Sequence, residues 1–179
     1  MISETLHGKN LDLIPIDQTI FPLLKNWLDN SDISKFLSDN ECNLDLNKLE
    51  KIYPLNENNE NSILFSIIEK KLKNPIGICG FQKINWEKKN AFLRIIIGNK
   101  NYWDGKTALE SEILLLKFAF DSLKLNEVYS IINTKNVGQV MLVERLGMKK
   151  SDLLSDYLVK DGNFVDAYKY QIFANEFKI

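Results

Sequence analysis

One histidine, two cysteines and four prolines are all that 179 residues offer of the side chains that most often build metal sites, disulfides and rigid turns. His7 stands alone in a polar N-terminal stretch, which removes histidine-based triads and the usual zinc ligand sets unless His7 itself takes part. Cys42 and Cys79 lie far apart with no CxxC spacing, so they read as ordinary small thiols rather than as a disulfide or a metal pair. No charge sign dominates: 23 basic against 24 acidic residues give −1, without the basic excess of a nucleic-acid binder. Long apolar runs are missing too. The stretch Leu93 to Ile97 is broken by Arg94 and falls far short of the roughly 20 residues a membrane span needs. The opening Met1-Ile2-Ser3-Glu4-Thr5-Leu6 has neither the basic region nor the apolar stretch of a secretion signal, so the expected location is cytoplasmic.

What is present is a 45% hydrophobic chain, enough for one domain over residues 1–179 with a real core. Leu11 to Ile16 alternates like a strand closed by Pro15. Asp17 then reads as the N-cap of a helix carrying Leu23, Leu24, Trp27 and Leu28, with further helical turns around Ile33, Phe36 and Leu37 and over Leu44 to Tyr53. Asn56 to Asn61 reads as an exposed loop. Strands follow over Ile63–Glu69, Ile76–Ile84 and Ala91–Ile97. A long helix comes next, with an apolar stripe at Leu109, Ile113, Leu116, Phe120 and Leu123. Val128–Asn133 reads as a buried strand, Asn136 as the cap of a short helix ended by Gly147, and Lys149–Val159 with Phe164–Phe173 as a closing hairpin.

The segment from Gly98 to Ala108 joins a strand to the start of the long helix. Unpaired N–H groups and the positive end of a helix dipole converge at such a junction, which makes it an anion trap. Tyr102, Trp103, Ala108 and Glu110, then Asn136 and Glu144-Arg145-Leu146-Gly147-Met148, follow a recognisable text. In these residues the chain resembles the GNAT acetyltransferase superfamily, in the branch of ribosomal-protein N-terminal acetyltransferases and spermidine acetyltransferases. The resemblance covers most of the chain. It implies an α/β (α+β) fold with a mostly antiparallel sheet of seven strands flanked by helices. The sheet would splay between its fourth and fifth strands, here Ala91–Ile97 and Val128–Asn133.

The resemblance also implies acetyl-CoA as co-substrate. The pantetheine arm would meet backbone groups of Ile97, Gly98 and Asn99, and the pyrophosphate would meet amides from Trp103 through Asp104, Gly105, Lys106 and Thr107 to Ala108, with Asn136 beside the cofactor. Asn136 reads equally well as a plain N-cap. Asp104, Gly105, Lys106 and Thr107 depart from the family text. Lys106 stands where glycine is usual, Gly105 would supply the permissive conformation one residue earlier, and Asp104 would repel phosphate. Gly162, Asp166 and Tyr170 fit the family's closing hairpin in structural roles.

Relatives place a glutamate on the strand before the loop and a tyrosine in the Asn-capped helix; Phe92 and Val143 hold those positions here, and both are aprotic. Tyr157 and Asp156 are the weak catalytic candidates, with Ser151, Asp152 and Ser155 on the same segment. Facing the cleft, Arg94 would bind an anionic acceptor group; facing solvent, which is the expectation, it is the polar side of a strand. Glu110 reads as a first-turn helix residue complementing the dipole. The implied reaction is transfer of an acetyl group to a primary amine (a protein N-terminus, a polyamine or an amino sugar) by direct attack on the thioester. The acceptor would be a small molecule or peptide, with no nucleic acid, membrane or metal involved, and the chain a monomer or homodimer. An inactive GNAT-like binding or regulatory module is the alternative, and a different donor is a third reading.

Overall fold

Side chains alternate across a strand, so a sheet covered on both faces needs apolar residues of both parities. This chain has them: Leu11, Leu13, Phe65, Ile67, Cys79, Phe81 and Leu93 belong to one buried cluster, and Leu64, Ile78 and Ile96 to another. The structure is a computed structural model and describes residues 4–178, with the backbone alone at Asn58. Its strands are β1 (Leu6–His7), β2 (Leu11–Pro15), β3 (Ile63–Glu69), β4 (Pro75–Asn85), β5 (Asn90–Ile97), β6 (Glu127–Asn133), β7 (Lys149–Lys160) and β8 (Asn163–Phe173). They form one eight-stranded sheet in the order β1-β2-β3-β4-β5-β6-β8-β7, and only the β5–β6 pair is parallel. The strand beyond the expected seven is β1, two residues paired to Leu13 and Asp12, too short to show an alternation.

Helices α1 (Ile20–Leu28), α2 (Ser31–Ser34) and α3 (Leu46–Ile52) precede β3. Ile20, Phe21, Leu24 and Leu28 of α1 and Leu49 of α3 are buried in the cluster that holds Leu64, Ile78 and Ile96. Asp17 does not cap α1. Its carboxylate accepts from the backbone N–H and the hydroxyl of Thr19, a local turn that delays the helix to Ile20. Asn56 is not simply loop surface either, since its side chain donates to Leu64 O and accepts from Leu64 N, extending the β3 edge.

Helix α4 (Lys106–Lys117) continues as a π-helical turn over Phe118–Ser122, and α5 spans Val137–Arg145. The expected α4 stripe does face the core but forms its flank: Leu116 belongs to the buried cluster, and Leu109, Ile113, Phe120 and Leu123 pack against it. Of its five members only Leu116 is fully buried, and the face turned inward carries Ser111, Glu112, Leu115, Leu116 and Ala119. Two polar residues on the buried face hide it from a hydrophobicity pattern, and the wide turn at the end shifts the helical phase. Phe118 meets Phe65 edge-on at 5.8 Å, an aromatic pair worth about 1 kcal/mol beyond its area. Glu110 does more than complement a dipole: it accepts from the backbone and side-chain N–H groups of Asn10, locking the β1–β2 turn onto α4. Among the described residues no helix is long and apolar enough to cross a membrane.

Trp27 fixes α1 to the end of β5. A Cβ added at Gly98 would sit 2.0 Å from the Trp27 ring, so only glycine fits beneath the indole. Gly98→Ala is expected to cost about 1–3 kcal/mol in urea unfolding. In a Trp27→Leu background most of that penalty should disappear; equal penalties in both backgrounds would refute the contact.

Candidate functional site

β5 and β6 pair over only three positions, Asn90 with Glu127, Ala91 with Val128 and Phe92 with Tyr129. Each then follows its other partner: β5 stays on β4 as far as Ile97, and β6 stays on β8 as far as Asn133. A cleft of about 390 Å³ opens between them. The Ser130 hydroxyl donates to Leu93 O at its closed end, and the Trp103 indole N–H donates to Ile97 O at its open end. Residues two apart on a strand present their backbone to the same side, so Ile95 also turns its N–H and C=O to the cleft, where no β6 residue pairs with it.

The residues expected to meet an amide-rich arm therefore divide. Ile97 lines the cleft with its carbonyl engaged by Trp103, whereas the Gly98 and Asn99 amides both turn to Ile76 O on β4. Ile95, which no signal in the sequence singles out, is the cleft residue left without a β6 partner. Parity says which residues share an edge, but only the divergence of β6 says which edge is left bare.

The helix-start loop contributes Trp103, Gly105 and Ala108 to the cleft. Gly105 adopts φ 75°, in the left-handed region that glycine enters without strain, and so supplies a permissive conformation one residue before Lys106. Asp104 lies outside the lining and turns back on the helix: its Oδ1 accepts from Lys106 N at 2.9 Å and Thr107 N at 3.4 Å. Two amides of the expected anion trap are thus already bonded to a carboxylate. Lys106 is exposed, and Thr107 is buried with its carbonyl accepting from Ser111. Asn136 caps α5 through Gln139 N and also lines the cleft, so the cap does not remove it from that space.

A second pocket of about 300 Å³ adjoins the cleft and shares Phe36, Leu37, Phe92, Arg94, Ile131 and Asn133 with it. Arg94 is not on a solvent face. It has the parity of Ile96, on the side covered by α3 and the turn Asp39–Glu41, and its Nη2 donates to Glu41 Oε1 at 2.6 Å and to Tyr53 Oη at 2.9 Å. Its guanidinium lies 5.4 Å from the Tyr53 ring centroid and 6.0 Å from that of Phe92, and its Nε is buried without a partner. Burial pushes the Tyr53 phenol up to about 12 against the opposing pull of Arg94.

Tyr157 lines the second pocket, half exposed. Asp156, Ser151, Asp152 and Ser155 line neither space; Asp156 has φ 53° at the irregular part of β7, where its N–H donates to Asp166. Phe92 lines both spaces. Val143 is fully buried in the core, and its neighbour Leu142 reaches the cleft instead. Glu41, absent from the sequence reading, sits in a polar run with nothing to mark it until the fold brings Arg94 to it.

One further carboxyl lies behind the cleft. Glu112 is fully buried, and its Oε1 accepts from Gln139 Nε2 at 2.8 Å; Gln139 itself lines the cleft. Oε2 has no partner. Burial pushes this carboxyl up to about 7, against the opposing effect of the Gln139 bond. Among the described residues no group of three or more His, Cys, Asp or Glu side chains could hold a metal ion.

Comparison with known proteins agrees with this geometry. Residues 10–149 match the family profile described as acetyltransferase (GNAT) domain. The chain is 32% identical over 113 residues to a relative named uncharacterized N-acetyltransferase p20, from Bacillus licheniformis, and that match spans 63% of either chain. Its fold is similar to that of spermidine N-acetyltransferase from Vibrio cholerae, crystallised with CoA and spermine, with a TM-score of 0.83 at 20% identity over 93% of this chain and 97% of that one. A GNAT-family acetyltransferase from Bacillus anthracis gives 0.80 at 17% identity, covering 97% and 100%.

Glu112 makes the stability of the domain depend on pH. Its folded-state pKa is raised above the ordinary 4.5, so its favourable contribution is complete below that value and is lost as pH rises through about 7. Glu112→Gln cannot ionise there. Its stability relative to the parent should therefore climb between pH 5 and pH 8, by up to about 3 kcal/mol. Urea unfolding of both proteins across that range checks this, and two parallel pH profiles would refute it.

Proposed function

This chain belongs to the acetyltransferase (GNAT) domain family, and we propose that it is an N-acetyltransferase that transfers the acetyl group of acetyl-CoA to a primary amine. The observation that carries this reading is the bare β5 edge at Ile95, in a cleft that runs from the N-terminus of α4 to a second pocket beyond Arg94. An amide-rich arm needs backbone partners along its length, and an edge that has lost its neighbouring strand supplies them. In this reading the diphosphate end of the donor lies toward Gly105 and Ala108, beside Asn136. The thioester lies where the two spaces meet, and the amine arrives through the second pocket.

The amine lone pair attacks the thioester carbonyl carbon, the carbon–sulfur bond breaks, and the departing thiolate takes up the proton that the amine sheds. The Ile95 N–H, fixed by the strand, is the group suited to stabilise the oxygen that gains charge, since a preorganised donor needs no rearrangement as charge develops. Phe92, Leu142 and Ile131 keep water away from the thioester. Among the described residues no lining carboxylate stands free to act as base: Asp32 is bound to Lys100 and Glu41 to Arg94. Tyr157 is the protic candidate on the acceptor side, whereas Asp156 lines neither space and has no part in this reading.

A second reading, an inactive relative kept as a binding or regulatory module that no longer takes acetyl-CoA, is favoured by one feature: Asp104 occupies amides that a diphosphate would use. The two readings separate by thermal melting with acetyl-CoA. At about a hundredfold excess over the dissociation constant, binding adds about 2.7 kcal/mol, or roughly 5–10 °C for a domain of this size. Ala108→Asp should shrink the shift by placing a carboxylate at the helix start. Asp104→Ala should enlarge it by freeing two N–H groups and removing a negative charge, even though the lost cap costs about 1 kcal/mol of stability. Absence of any shift at millimolar acetyl-CoA would leave the binding-module reading in first place.

A further inference from the structure

The charges around the second pocket go beyond the choice of an amine and discriminate among amines. Its lining carries one carboxylate, Glu41, against two cations, Lys83 and Arg94. Glu41 is held by Arg94 at 2.6 Å. The neighbouring acids are also committed: Asp32 pairs with Lys100, and Asp39 accepts from the Asp161 and Gly162 amides at the tip of the β7–β8 hairpin. Lys83, by contrast, has no carboxylate partner among the described residues; its Nζ lies 5.8 Å from the centroid of the Phe92 ring, at the junction of the two spaces. A substrate bearing a second ammonium group would find no free acid here and two cations. A substrate bearing an anion would find Lys83 and the guanidinium of Arg94, both of whose hydrogen bonds leave from Nη2.

The need for a neutral nucleophile points the same way. With no free base in the pocket, the amine must arrive deprotonated. At pH 7.5 a peptide's N-terminal amine of pKa 7.7–8.0 is neutral in about a third of molecules, and an alkylamine near 10.4 in about one in a thousand. A free amino acid, whose own carboxylate raises its amine, is supported by the charge argument alone. Nearby cations lower an amine's pKa further.

We propose that the acceptor is an α-amine with a carboxylate close to the reacting nitrogen, read by Lys83 and Arg94, and not a polyamine. The carboxylate belongs either to a free amino acid or to an acidic residue at the start of a peptide. This inference rests on the N-acetyltransferase reading above and narrows its acceptor.

The test is steady-state kinetics at saturating acetyl-CoA with four acceptors: the peptide amides Asp-Ala-Ala and Asn-Ala-Ala, free aspartate, and spermidine. The Asp peptide differs from its Asn isostere only in the carboxylate. Its kcat/KM should be higher by about tenfold, mainly through KM, the ratio that one favourable charge contact supplies. Lys83→Glu, on an exposed residue and checked for folding by melting, should abolish or reverse that preference. Free aspartate outrunning the peptide would identify the small molecule as the source of the carboxylate, and the converse would identify the peptide. Equal kcat/KM for the two peptides, or a preference for spermidine, would overturn the proposal while leaving the transferase reading intact. No transfer to any amine, together with no melting shift, would remove that reading and this acceptor with it.

Discussion

The parting of β5 from β6 after three paired residues is the constraint on which the rest of the molecule turns. Buried backbone N–H and C=O groups must be satisfied, and two strands that separate leave several of them facing each other across a gap. The fold closes part of that account from within. Ser130 reaches back to Leu93 at the apex, and the Trp103 indole covers Ile97 at the mouth. Between them Ile95 is left without a β6 partner. The same geometry explains why the cleft runs to the α4 N-terminus: the chain leaving β5 has to pass over the mouth before the helix can pack on the sheet.

Electrostatic groups along this path are largely self-supplied. Asp104 stands at the start of α4 where an external anion would otherwise lie, and Glu41 stands against Arg94 where an external carboxylate would be drawn. Binding at either place is then a difference between a ligand contact and an internal one, which lowers affinity but sharpens selection. The buried Arg94–Glu41–Tyr53 cluster follows the rule for charge in low dielectric: the cation is paired, hydrogen-bonded and close to two aromatic rings, because an isolated one would carry a desolvation penalty of several kcal/mol. Glu112 meets the same rule by a different route. With one neutral amide for a partner, its carboxyl is driven toward the protonated form.

Much of this was legible in the chain. Alternating strands, the Asn136 cap, the Gly147 stop and the closing hairpin rest on local periodicity or turn chemistry, which act over a few residues; the neighbourhood of Ala91–Ile97 and Val128–Asn133 was legible only through the family resemblance. Gly105 was legible too, because a left-handed turn before a helix selects glycine. Other features were not. Arg94 looked like a polar strand residue, since nothing near it in the sequence carries Glu41 or Tyr53. The α4 stripe marked the flank of the buried face and not its centre, because Ser111 and Glu112 are buried polar residues, which an apolar pattern counts as outside. Asp17 and Asp104 have the same chemistry and neighbouring chain signals. Asp17 shapes a turn without capping the helix, whereas Asp104 takes the first amides of α4.

The sequence by itself determined the elements, the two-sided sheet and the loop-to-helix junction, because each follows from forces between residues close along the chain. Tertiary structure decided which backbone edge stays bare, which acids are already paired and which basic side chain is left without a partner. Those outcomes depend on contacts between segments such as residues 39–41, 53, 83, 94 and 157, and solvation changes sign with burial. A carboxylate or a guanidinium is a free ligand group in one fold and an internal counter-ion in another, and only the three-dimensional arrangement distinguishes them.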